Sequence, residues 1–500
     1  LYGEALNYVN EVLEIKKGFQ PAQRDKALIL YYLKEPDKAF EYIVSSLKQE
    51  PKDFLALNTL GLILIALERI TDAKNTFIRA IEINSKYVSS HNNLGHCYTL
   101  LNDRDNAFKS FQAALAIDPN SYSAKNNLAN YFIDSGDYKK ALEFYFQALK
   151  LEPQNNKLLF NIGIAYINLN EENKAEDYFK KSYALDPNNE TLHKNFSMLL
   201  LRQGRYKEAW NFFDGRLKLN AFYAKNTNLH NINKKLSKNK KFSRNDKILV
   251  VREQGVGDEI LYATMYSDMI NTYSNAIFEA DKRLISVFER SLNQGNEKIF
   301  FPYGYFTSNE KKLDEFDNII FSGSLGQLFR NDINDFSGNS FLKPDTKKIT
   351  SIKNVLNNID KEKKIGISWK SQKTKYGEDK SKDLEHLIPI LNIENLKFIN
   401  LQYGDMKNEI DNFRKKENIE IITLNNVDLF NDFESISAIL KNLDLFVTVS
   451  NSTAHLAGAL GVKTFLIRPQ SHATFHYWDQ KGKKTPWYNS IKLFNYENAV

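Results

Sequence analysis

The residues best suited to chemistry lie in three short segments of the second half of the chain, each directly after a run of apolar residues. The first segment, at 252–260, reads Arg-Glu-Gln-Gly-Val-Gly-Asp-Glu-Ile and enters an expected helix at Ile260. Its glycines, Gly255 and Gly257, would let backbone amides approach an anion at the start of that helix. Ile260 occupies the third glycine position of the dinucleotide-binding fingerprint, so that motif is excluded. The glycines could also serve only to turn the chain.

The second segment is Gly-Ile-Ser-Trp-Lys at 366–370, followed by a basic run that ends at Lys382. A strand ending in this segment would deliver Ser368 and Lys370 to a cleft. Together with Lys380 and Lys382, which follow in the basic run, these side chains could bind and neutralise a diphosphate. The alternative interpretation is a solvated lysine loop without a ligand.

The third segment, at 449–463, reads Val-Ser-Asn-Ser-Thr-Ala-His-Leu-Ala-Gly-Ala-Leu-Gly-Val-Lys. A strand here meets small hydroxyl residues and then a helix of small residues. Hydroxyls and backbone amides at a helix start make an anion site. His455 lies one turn inside that helix, where it is either a ligand-binding side chain or a structural histidine. The presence of all three segments in this order favours a binding site.

The second half of the chain has the pattern of an α/β fold. From Lys247 onward, short apolar runs alternate with helical stretches, which is typical of buried parallel strands in βαβ units. The predicted strands are 248–251, 276–279, 318–321, 365–369, 397–401, 420–423, 445–449 and 464–467. The roughly 250 residues available suit two doubly wound domains with a cleft between them and a polar hinge at 343–363. Ligands of such folds bind beyond the carboxyl ends of the strands, where the three segments fall.

The first half of the chain has a 34-residue repeat. Three columns keep this spacing, one of small residues, one of alanines and one of large aromatic residues. They are Gly61, Gly95, Ala129, Gly163 and Ser197; Ala39, Ala73, Ala107, Ala141, Ala175 and Ala209; and Phe77, Phe111, Tyr145, Phe179 and Phe213. Prolines recur where a helix pair must end. The pattern resembles the tetratricopeptide repeat, and about six helix-turn-helix units would cover residues 20–223.

Tetratricopeptide repeats stack into a superhelix whose concave face usually binds a peptide or another protein. The asparagines at Asn58, Asn92, Asn126 and Asn161 could hydrogen-bond a peptide backbone from the inner helices. They could equally be solvated helix positions. The Asp-x-Asp sequence at 103–105 lies in a turn of a repeat, so it is not interpreted as the metal-binding signature of sugar transferases.

The composition excludes several classes of protein. The chain has 500 residues, a formal net charge of +7, 42% hydrophobic and 26% charged residues, which predicts several folded domains. The single cysteine, Cys97, cannot form an internal disulfide, and no apolar run approaches the roughly 20 residues that span a bilayer. The dispersed lysines do not predict a specific nucleic-acid site. His472 and His476 lack a third metal ligand. Because the chain starts at Leu1 inside a helical pattern, we expect a trimmed start.

Two of the three segments and the end of the chain carry a family resemblance. Ser-Thr-Ala-His-Leu-Ala-Gly-Ala-Leu-Gly at 452–461 resembles the C-terminal donor-site motif of heptosyltransferase-like glycosyltransferases (family 9). Gly-Val-Gly-Asp-Glu-Ile at 255–260 resembles their N-terminal Gly-Asp loop. The whole chain is similar to bacterial proteins that join tetratricopeptide repeats to such a domain, an architecture also found in the O-linked N-acetylglucosamine transferases. Their shared ending, Pro-Trp-Tyr and then Leu-Phe, is present at 486–488 and 493–494.

The resemblance implies an α-helical tetratricopeptide-repeat solenoid followed by an α/β GT-B glycosyltransferase fold, in which two Rossmann-like domains face a cleft. The implied domains are repeats at 1–223, a linker at 224–245, an acceptor-side domain at 246–345 and a donor-side domain at 346–500. The implied activity is the inverting transfer of a sugar, without metal or cofactor, from a nucleotide-sugar donor to a hydroxyl of a protein or glycan. The repeats would recruit the acceptor or a partner protein, and the expected location is the cytoplasm.

The resemblance also implies roles for individual residues. Asp258 matches a general base, Lys382 would hold the donor diphosphate, and His455 is the third catalytic candidate. The donor-binding candidates are Gly255, Gly257, Ser368, Lys370, Lys380, Gln402, Ser450, Asn451, Ser452 and Thr453. The family usually has an acidic residue at the position of Ser450, and serine cannot carry its charge. The alternative function is therefore an interaction scaffold with a degenerate, non-catalytic transferase domain.

Overall fold

The computed structural model describes residues 2–219, 232, 236, 242–357, 362–371, 381–425, 427–468, 477–478 and 484–495. The chain forms two compact units, Leu1–Pro187 and Asn188–Val500. The first unit is helical, and the second combines helices with two largely parallel sheets. The predicted order, a helical repeat array followed by parallel sheets and helices, is confirmed.

The first unit consists of helices that pack in pairs. They are α1 (Tyr2–Ile15), α2 (Gln20–Tyr32), α3 (Pro36–Gln49), α4 (Phe54–Ala66), α5 (Ile70–Ile83), α6 (Val88–Leu100), α7 (Arg104–Ile117), α8 (Tyr122–Asp134), α9 (Tyr138–Leu151), α10 (Asn156–Asn168) and α11 (Glu172–Leu185). From α2 onward each even-numbered helix packs against the next helix in the chain. This is the helix-turn-helix unit predicted from the 34-residue spacing.

The column of small residues exists because an aromatic ring of the paired helix fills the space beside it. A Cβ atom at Gly95 would lie 2.5 Å from Phe111 Cε1, and one at Gly61 would collide with the ring of Phe77 in the same way. Carbon atoms in stable contact are about 3.5–4.0 Å apart, so a side chain at either glycine would push the two helices of the unit apart.

Each turn inside a helix pair contains a residue in the left-handed conformation. These residues recur every 34 positions with φ between 57° and 78°, at Lys34, Glu68, Asn102, Gly136, Asn170 and Gly204. The conformation ends the first helix of a pair because it lets following amides reach the last carbonyl groups. This column was not predicted from the sequence, because lysine, glutamate, asparagine and glycine all occur in it.

Asparagines of the repeat helices join neighbouring repeats. Asn58 Oδ1 accepts hydrogen bonds from Asn93 Nδ2 at 3.0 Å and from Ser90 Oγ at 3.3 Å. Asn92 Oδ1 accepts a hydrogen bond from Asn127 Nδ2 at 2.8 Å. Asn58 and Asn92 are only 7% and 8% exposed, so the interpretation as solvated positions is wrong for these two. Their oxygens are used in contacts between repeats.

The second unit begins with α12 (Glu190–Arg202), α13 (Tyr206–Phe213) and a 3-10 turn at Asp214–Lys218. A four-stranded parallel sheet follows, with the order β3-β2-β1-β4. Its strands are β1 (Ile248–Val251), β2 (Ala276–Ala280), β3 (Phe300–Pro302) and β4 (Asn318–Phe321). The helices are α14 (Val256–Tyr262), α15 (Tyr266–Thr272), α16 (Ile285–Leu292), α17 (Glu310–Leu313) and α18 (Gly326–Phe329).

The second sheet of this unit has the order β10-β11-β9-β8-β5-β6-β7, and only the pairing of β10 with β11 is antiparallel. Its strands are β5 (Lys363–Ser368), β6 (Leu396–Asn400), β7 (Ile421–Ile422), β8 (Leu445–Val449), β9 (Thr464–Arg468), β10 (Lys484–Thr485) and β11 (Tyr488–Asn495). The helices are α19 (Thr346–Asn357), α20 (Ile388–Leu391), α21 (Lys407–Glu417), α22 (Phe433–Lys441) and α23 (Ser452–Leu460). The predicted hinge segment thus contains α19.

None of the helices in the described ranges has the length and apolar character needed to cross a bilayer.

A buried ion pair joins the turn after α13 to the first sheet. Arg216 donates from Nε to one oxygen of Glu253 at 2.9 Å and from Nη2 to the other at 2.6 Å. The same guanidinium also reaches Asp214 Oδ1 at 2.9 Å and Ser324 Oγ at 3.1 Å. Arg216 is 6% exposed and Glu253 is 1% exposed. Because Glu253 lies two residues before Gly255, the ion pair anchors the loop that carries the first predicted segment.

We expect Arg216→Met to lower the free energy of unfolding of the second unit by about 3–5 kcal/mol, because it leaves the Glu253 carboxylate buried without its partner. Urea unfolding followed by tryptophan fluorescence measures this, since all four tryptophans lie in the second unit. The matched control is Arg205→Met, whose ion pair with Glu208 is largely exposed and should contribute less than about 1 kcal/mol. Equal losses in the two variants would contradict the assigned importance of the buried pair.

Candidate functional site

The loop after β1 turns directly into α14. Gly255 is the residue before the helix, and its amide donates to Asp258 Oδ2 at 3.2 Å. The carboxylate of Asp258 therefore caps the helix, and α14 starts at Val256 rather than at Ile260, where the sequence had predicted it. The Asp258 carboxylate thus accepts a hydrogen bond from the Gly255 amide, which had been predicted to face a bound anion.

Asp258 lies in a buried polar cluster. It is 6% exposed, and it is hydrogen-bonded to the side chain of Tyr477. Burial, followed by the negative charge of Asp258, raises the pKa of Tyr477 well above its ordinary value. The same two causes raise the pKa of Tyr488. Both phenols therefore stay protonated at neutral pH, and the Tyr477 hydroxyl can hold the carboxylate in one orientation.

The third predicted segment forms the start of α23. Asn451 is the residue before this helix, and its Oδ1 accepts a hydrogen bond from Ala454 N at 3.0 Å. The amide group of Asn451 donates to Ser368 Oγ at 2.8 Å and to Thr448 Oγ1 at 3.3 Å. Asn451 therefore fixes the helix start to the carboxyl ends of β5 and β8.

His455 has both structural partners and a place in the site. It is 3% exposed, and its Nδ1 lies 3.2 Å from the Tyr488 hydroxyl. Its ring packs against those of Tyr477 and Trp478, with centroids 4.9 Å and 4.8 Å away. A Cβ atom at Gly257 would come within 3.1 Å of His455 Cδ2, so the glycine permits the close approach of α14 to α23.

A cavity of about 400 Å³ lies where these two helix starts meet. It brings together eight of the residues predicted from the sequence, which are Gly255, Gly257, Asp258, Ser450, Asn451, Ser452, Thr453 and His455. The other lining residues are Val256, Arg283, Ser371, Tyr403, Leu429, Phe430, Phe433, Ile436 and Tyr477. The cavity therefore joins the carboxyl edges of two separate parallel sheets, which is where α/β folds bind ligands.

Three predicted donor-binding residues are bonded to the protein outside this lining. Gln402 Oε1 accepts hydrogen bonds from Ser368 Oγ at 3.0 Å, Trp369 N at 2.9 Å and Lys370 N at 2.7 Å. Lys370 Nζ pairs with Glu409 Oε2 at 2.6 Å. Gln402 and Ser368 hold the ends of β5 and β6 together, and the charge of Lys370 is neutralised by α21.

Of the predicted diphosphate lysines, Lys382 is joined through its backbone to the residue that follows β5. The amide of Lys382 donates to the Trp369 carbonyl oxygen at 2.8 Å, and the amide of Ser371 donates to Ser381 Oγ at 3.0 Å. Because Ser371 lines the cavity, the backbone at Lys382 runs close beside the cavity wall. Lys380 lies outside the described residues, as do His472 and His476.

Ser450, where the family resemblance of the sequence leads us to expect an acidic residue, is 4% exposed and accepts a hydrogen bond from Trp478 Nε1 at 3.1 Å. An indole N–H donates to a hydroxyl oxygen or a carboxylate alike. The Ser450 hydroxyl therefore satisfies the indole N–H of Trp478 and brings no negative charge to the cavity.

Arg283, which follows β2 and lines the cavity, was not among the residues predicted from the sequence. Its guanidinium donates to both oxygens of Asp281, at 2.8 Å and 2.9 Å, and to the Phe430 carbonyl oxygen at 3.1 Å. The guanidinium also lies 5.3 Å from the Phe430 ring and 5.5 Å from the Phe433 ring. Its position just beyond a predicted strand was the available signal, because ligands bind at strand ends.

Within the described ranges, no group of three or more histidine, cysteine, aspartate and glutamate side chains is arranged to hold a metal ion. Metal independence stays a prediction.

Comparisons with known proteins bear mainly on the repeats. Family models for the tetratricopeptide repeat match residues 93–219 and 58–122. The chain is 27% identical over 314 residues to Protein FlbA of Caulobacter vibrioides, a match that covers 60% of this chain and 50% of FlbA. The chain thus spans about half the length of that curated relative.

Solved structures of repeat proteins are also similar. TTC0263, a TPR protein of Thermus thermophilus, is 19% identical with a TM-score of 0.34, and the match covers 36% of this chain and 99% of that protein. YrrB, described as a TPR protein with an unusual peptide-binding site, is 18% identical with a TM-score of 0.28, covering 36% of this chain and 92% of that protein. The chain contains tetratricopeptide repeats, and the family models support a protein-interaction role for them.

Glu259, the neighbour of Asp258, gives the site a pH-dependent stability. Its carboxylate is buried, and one oxygen lies 2.7 Å from Arg252 Nε. Burial raises the pKa of Glu259 from 4.5 to about 7, although Arg252 opposes the shift. The native state therefore retains a proton that the unfolded chain has lost. The stability from this group is fully present below about pH 4.5 and is lost as the pH rises through about 7.

We expect Glu259→Gln to lose less unfolding free energy than the unchanged protein when the pH rises from about 5 to about 8, because glutamine cannot ionise. Urea unfolding followed by tryptophan fluorescence across this range measures the difference. Glu315→Gln is the control, since that carboxylate is 54% exposed and should leave the pH profile unchanged. Parallel profiles for Glu259→Gln and the unchanged protein would contradict a raised pKa at this position.

Proposed function

We propose that the second unit is an inverting, metal-independent glycosyltransferase of GT-B type. It transfers a sugar from a nucleotide-sugar donor to a hydroxyl group of a protein or glycan, and the tetratricopeptide repeats recruit the acceptor or a partner protein. The observation that carries this proposal is the shared cavity, in which the start of α14, after β1 of the first sheet, meets the start of α23 at the edge of the second sheet. The family resemblance of both segments agrees with this arrangement.

The start of α23 is suited to the donor diphosphate. The first amides of a helix have no partner inside the helix, and the helix dipole favours negative charge there. Asn451 satisfies the amide of Ala454, so the first-turn amides without a partner inside the helix are those of Ser452 and Thr453, two residues that line the cavity. Arg283 adds a guanidinium at the same cavity, and Lys382 is assigned to the diphosphate by resemblance.

The apolar wall of the cavity is suited to the nucleobase. Tyr403, Leu429, Phe430, Phe433 and Ile436 line one side of it. Aromatic and aliphatic side chains of this kind offer a base a face to stack on, while the polar groups of α23 hold its phosphates. Nucleotide and sugar selectivity would follow from the shape of this wall.

Asp258 acts as the general base in this proposal. The acceptor hydroxyl oxygen forms a bond to the anomeric carbon and passes its proton to the Asp258 carboxylate. The bond from the anomeric carbon to the diphosphate oxygen breaks, and the nucleotide leaves with that electron pair. Attack on the face opposite the leaving group inverts the anomeric configuration. Hydrogen bonds from Gly255 N and Tyr477 keep the carboxylate oriented, and His455 contributes to the sugar and phosphate pocket.

A second candidate function is an interaction scaffold whose transferase domain is not catalytic. The observation that favours it is Ser450, whose hydroxyl accepts from Trp478 and brings no charge to the cavity. The repeats would then carry the function. Nucleotide binding separates the two candidates, because a scaffold of this kind binds nucleotide weakly or not at all.

We expect Asp258→Asn to lower turnover by at least about 100-fold while nucleotide affinity stays unchanged, because loss of a general base typically costs 10²–10⁴ in rate. The measurement is release of nucleotide from a nucleotide-sugar that the protein binds, in parallel with nucleotide affinity. Lys382→Ala should weaken both, since it removes a cation assigned to the diphosphate.

The control for the base is Asp411→Asn, an exposed carboxylate on α21, which should leave both readouts unchanged. Full turnover by Asp258→Asn would show that another group takes the acceptor proton.

A further inference from the structure

A second cavity, of about 340 Å³, opens beside the first. Its lining residues are Arg252, Asp281, Lys282, Arg283, Pro302, Tyr303, Phe430 and Asn431. All but the last two follow or end β1, β2 and β3, so the cavity lies beyond the carboxyl ends of three neighbouring strands of the first sheet. This is the edge at which α/β sheets bind ligands.

The two cavities share lining residues. Arg283 and Phe430 belong to both. A group bound in the second cavity would therefore lie next to the first cavity, the proposed donor pocket, which Asp258 lines. In the proposed transferase this is the position of the acceptor.

The second cavity has an excess of positive charge. Three cations, Arg252, Lys282 and Arg283, line it, against the carboxylate of Asp281 in the lining and that of Glu259, which lies 2.7 Å from Arg252 Nε. Asp281 is occupied by the two arginines, since Arg283 donates to both its oxygens and Arg252 Nη1 lies 3.4 Å from Oδ2. Lys282 is exposed, and in the described part of the chain no carboxylate forms an ion pair with it.

The arginines of this cavity are held in place beside aromatic rings. The Arg252 guanidinium lies 5.7 Å from the Tyr303 ring centroid, and the Arg283 guanidinium lies 5.3 Å from that of Phe430. Phe430 is 52% exposed, so its ring is accessible from solvent. Fixed guanidinium groups bind carboxylates with little further loss of conformational freedom, and the exposed ring offers contact to an apolar side chain.

We propose that this cavity binds an acidic side chain of a protein segment, next to the hydroxyl residue that receives the sugar. The choice of a protein partner rests on the tetratricopeptide repeats, which have a protein-interaction role. The assignment to the acceptor rests on the proposed transferase function, whereas the binding of an acidic peptide does not depend on it. Lys282 supplies the accessible charge, and the guanidinium groups of Arg252 and Arg283, held by Glu259 and Asp281, line the cavity beside it.

The test compares two labelled peptides that differ only around a central serine, one with glutamates and one with glutamines on both sides. Fluorescence anisotropy with the full chain measures their affinities. We expect the glutamate peptide to bind at least about tenfold tighter at low salt, with a preference that shrinks as salt screens the charges. Lys282→Glu should abolish this preference.

Lys298→Glu is the matched control, because Lys298 is an exposed lysine of the same sheet layer outside the cavity. It has the same change in net charge and should keep the preference. Equal affinities of the two peptides for the unchanged chain would overturn the proposal. An equal loss of the preference for the glutamate peptide in Lys282→Glu and Lys298→Glu would overturn it as well. Competition by free glucuronate is a further check. If glucuronate displaced the labelled glutamate peptide at a lower concentration than the unlabelled glutamate peptide does, the result would also overturn the proposal, in favour of an acidic saccharide.

Nucleotide affinity distinguishes failure of this inference from failure of the proposed function. A chain that binds nucleotide but shows no preference for the glutamate peptide has the donor site without this acidic subsite. A chain with the peptide preference and no nucleotide affinity has the subsite without the transferase function.

Discussion

The site depends on how closely α14 approaches α23. Gly257 is the residue that allows it, since a Cβ atom there would lie 3.1 Å from His455 Cδ2 and 3.3 Å from Ser452 Cα. The backbone of α23 cannot yield to a side chain at Gly257 without moving the helix start. This contact places Asp258 of the first sheet and Asn451 of the second at one cavity, although they are far apart in the sequence.

The close approach is maintained by polar groups that have little access to water. Asp258 binds Gly255 and Tyr477, His455 lies against Tyr488, and the loop before α14 is anchored through Glu253. In a buried environment an unpaired polar group is costly, so a network of paired ones fixes a single arrangement. The orientation of the Asp258 carboxylate is thus determined before any ligand binds, which is the condition for efficient proton transfer in the proposed reaction.

The features of this organisation that depend on spacing alone can be predicted from the sequence. The small and aromatic columns predict the helix pairs, and strand ends predict the segments that carry Asp258 and Asn451. What depends on contacts between distant segments was not predictable. Phe430 reaches the cavity from a loop remote from both helix starts in the sequence, and Lys370 is neutralised by Glu409 of α21. The early start of α14 has a local cause, because the Asp258 carboxylate caps the helix. The sequence pattern had led us to interpret Asp258 only as a general base.

The most direct test of the account is a thermal-shift panel with UDP, GDP, ADP, CMP and their sugar conjugates. Unfolding is monitored by the fluorescence of the tryptophans, which lie in the second unit. A ligand at about 100 times its dissociation constant adds about 2.7 kcal/mol to the native state. In a domain of this size that corresponds to roughly 2–4 °C. The account predicts selective stabilisation by one nucleotide and its sugar conjugates. Folded protein without a shift for any nucleotide would contradict the donor site and leave the repeats as the functional part of the chain.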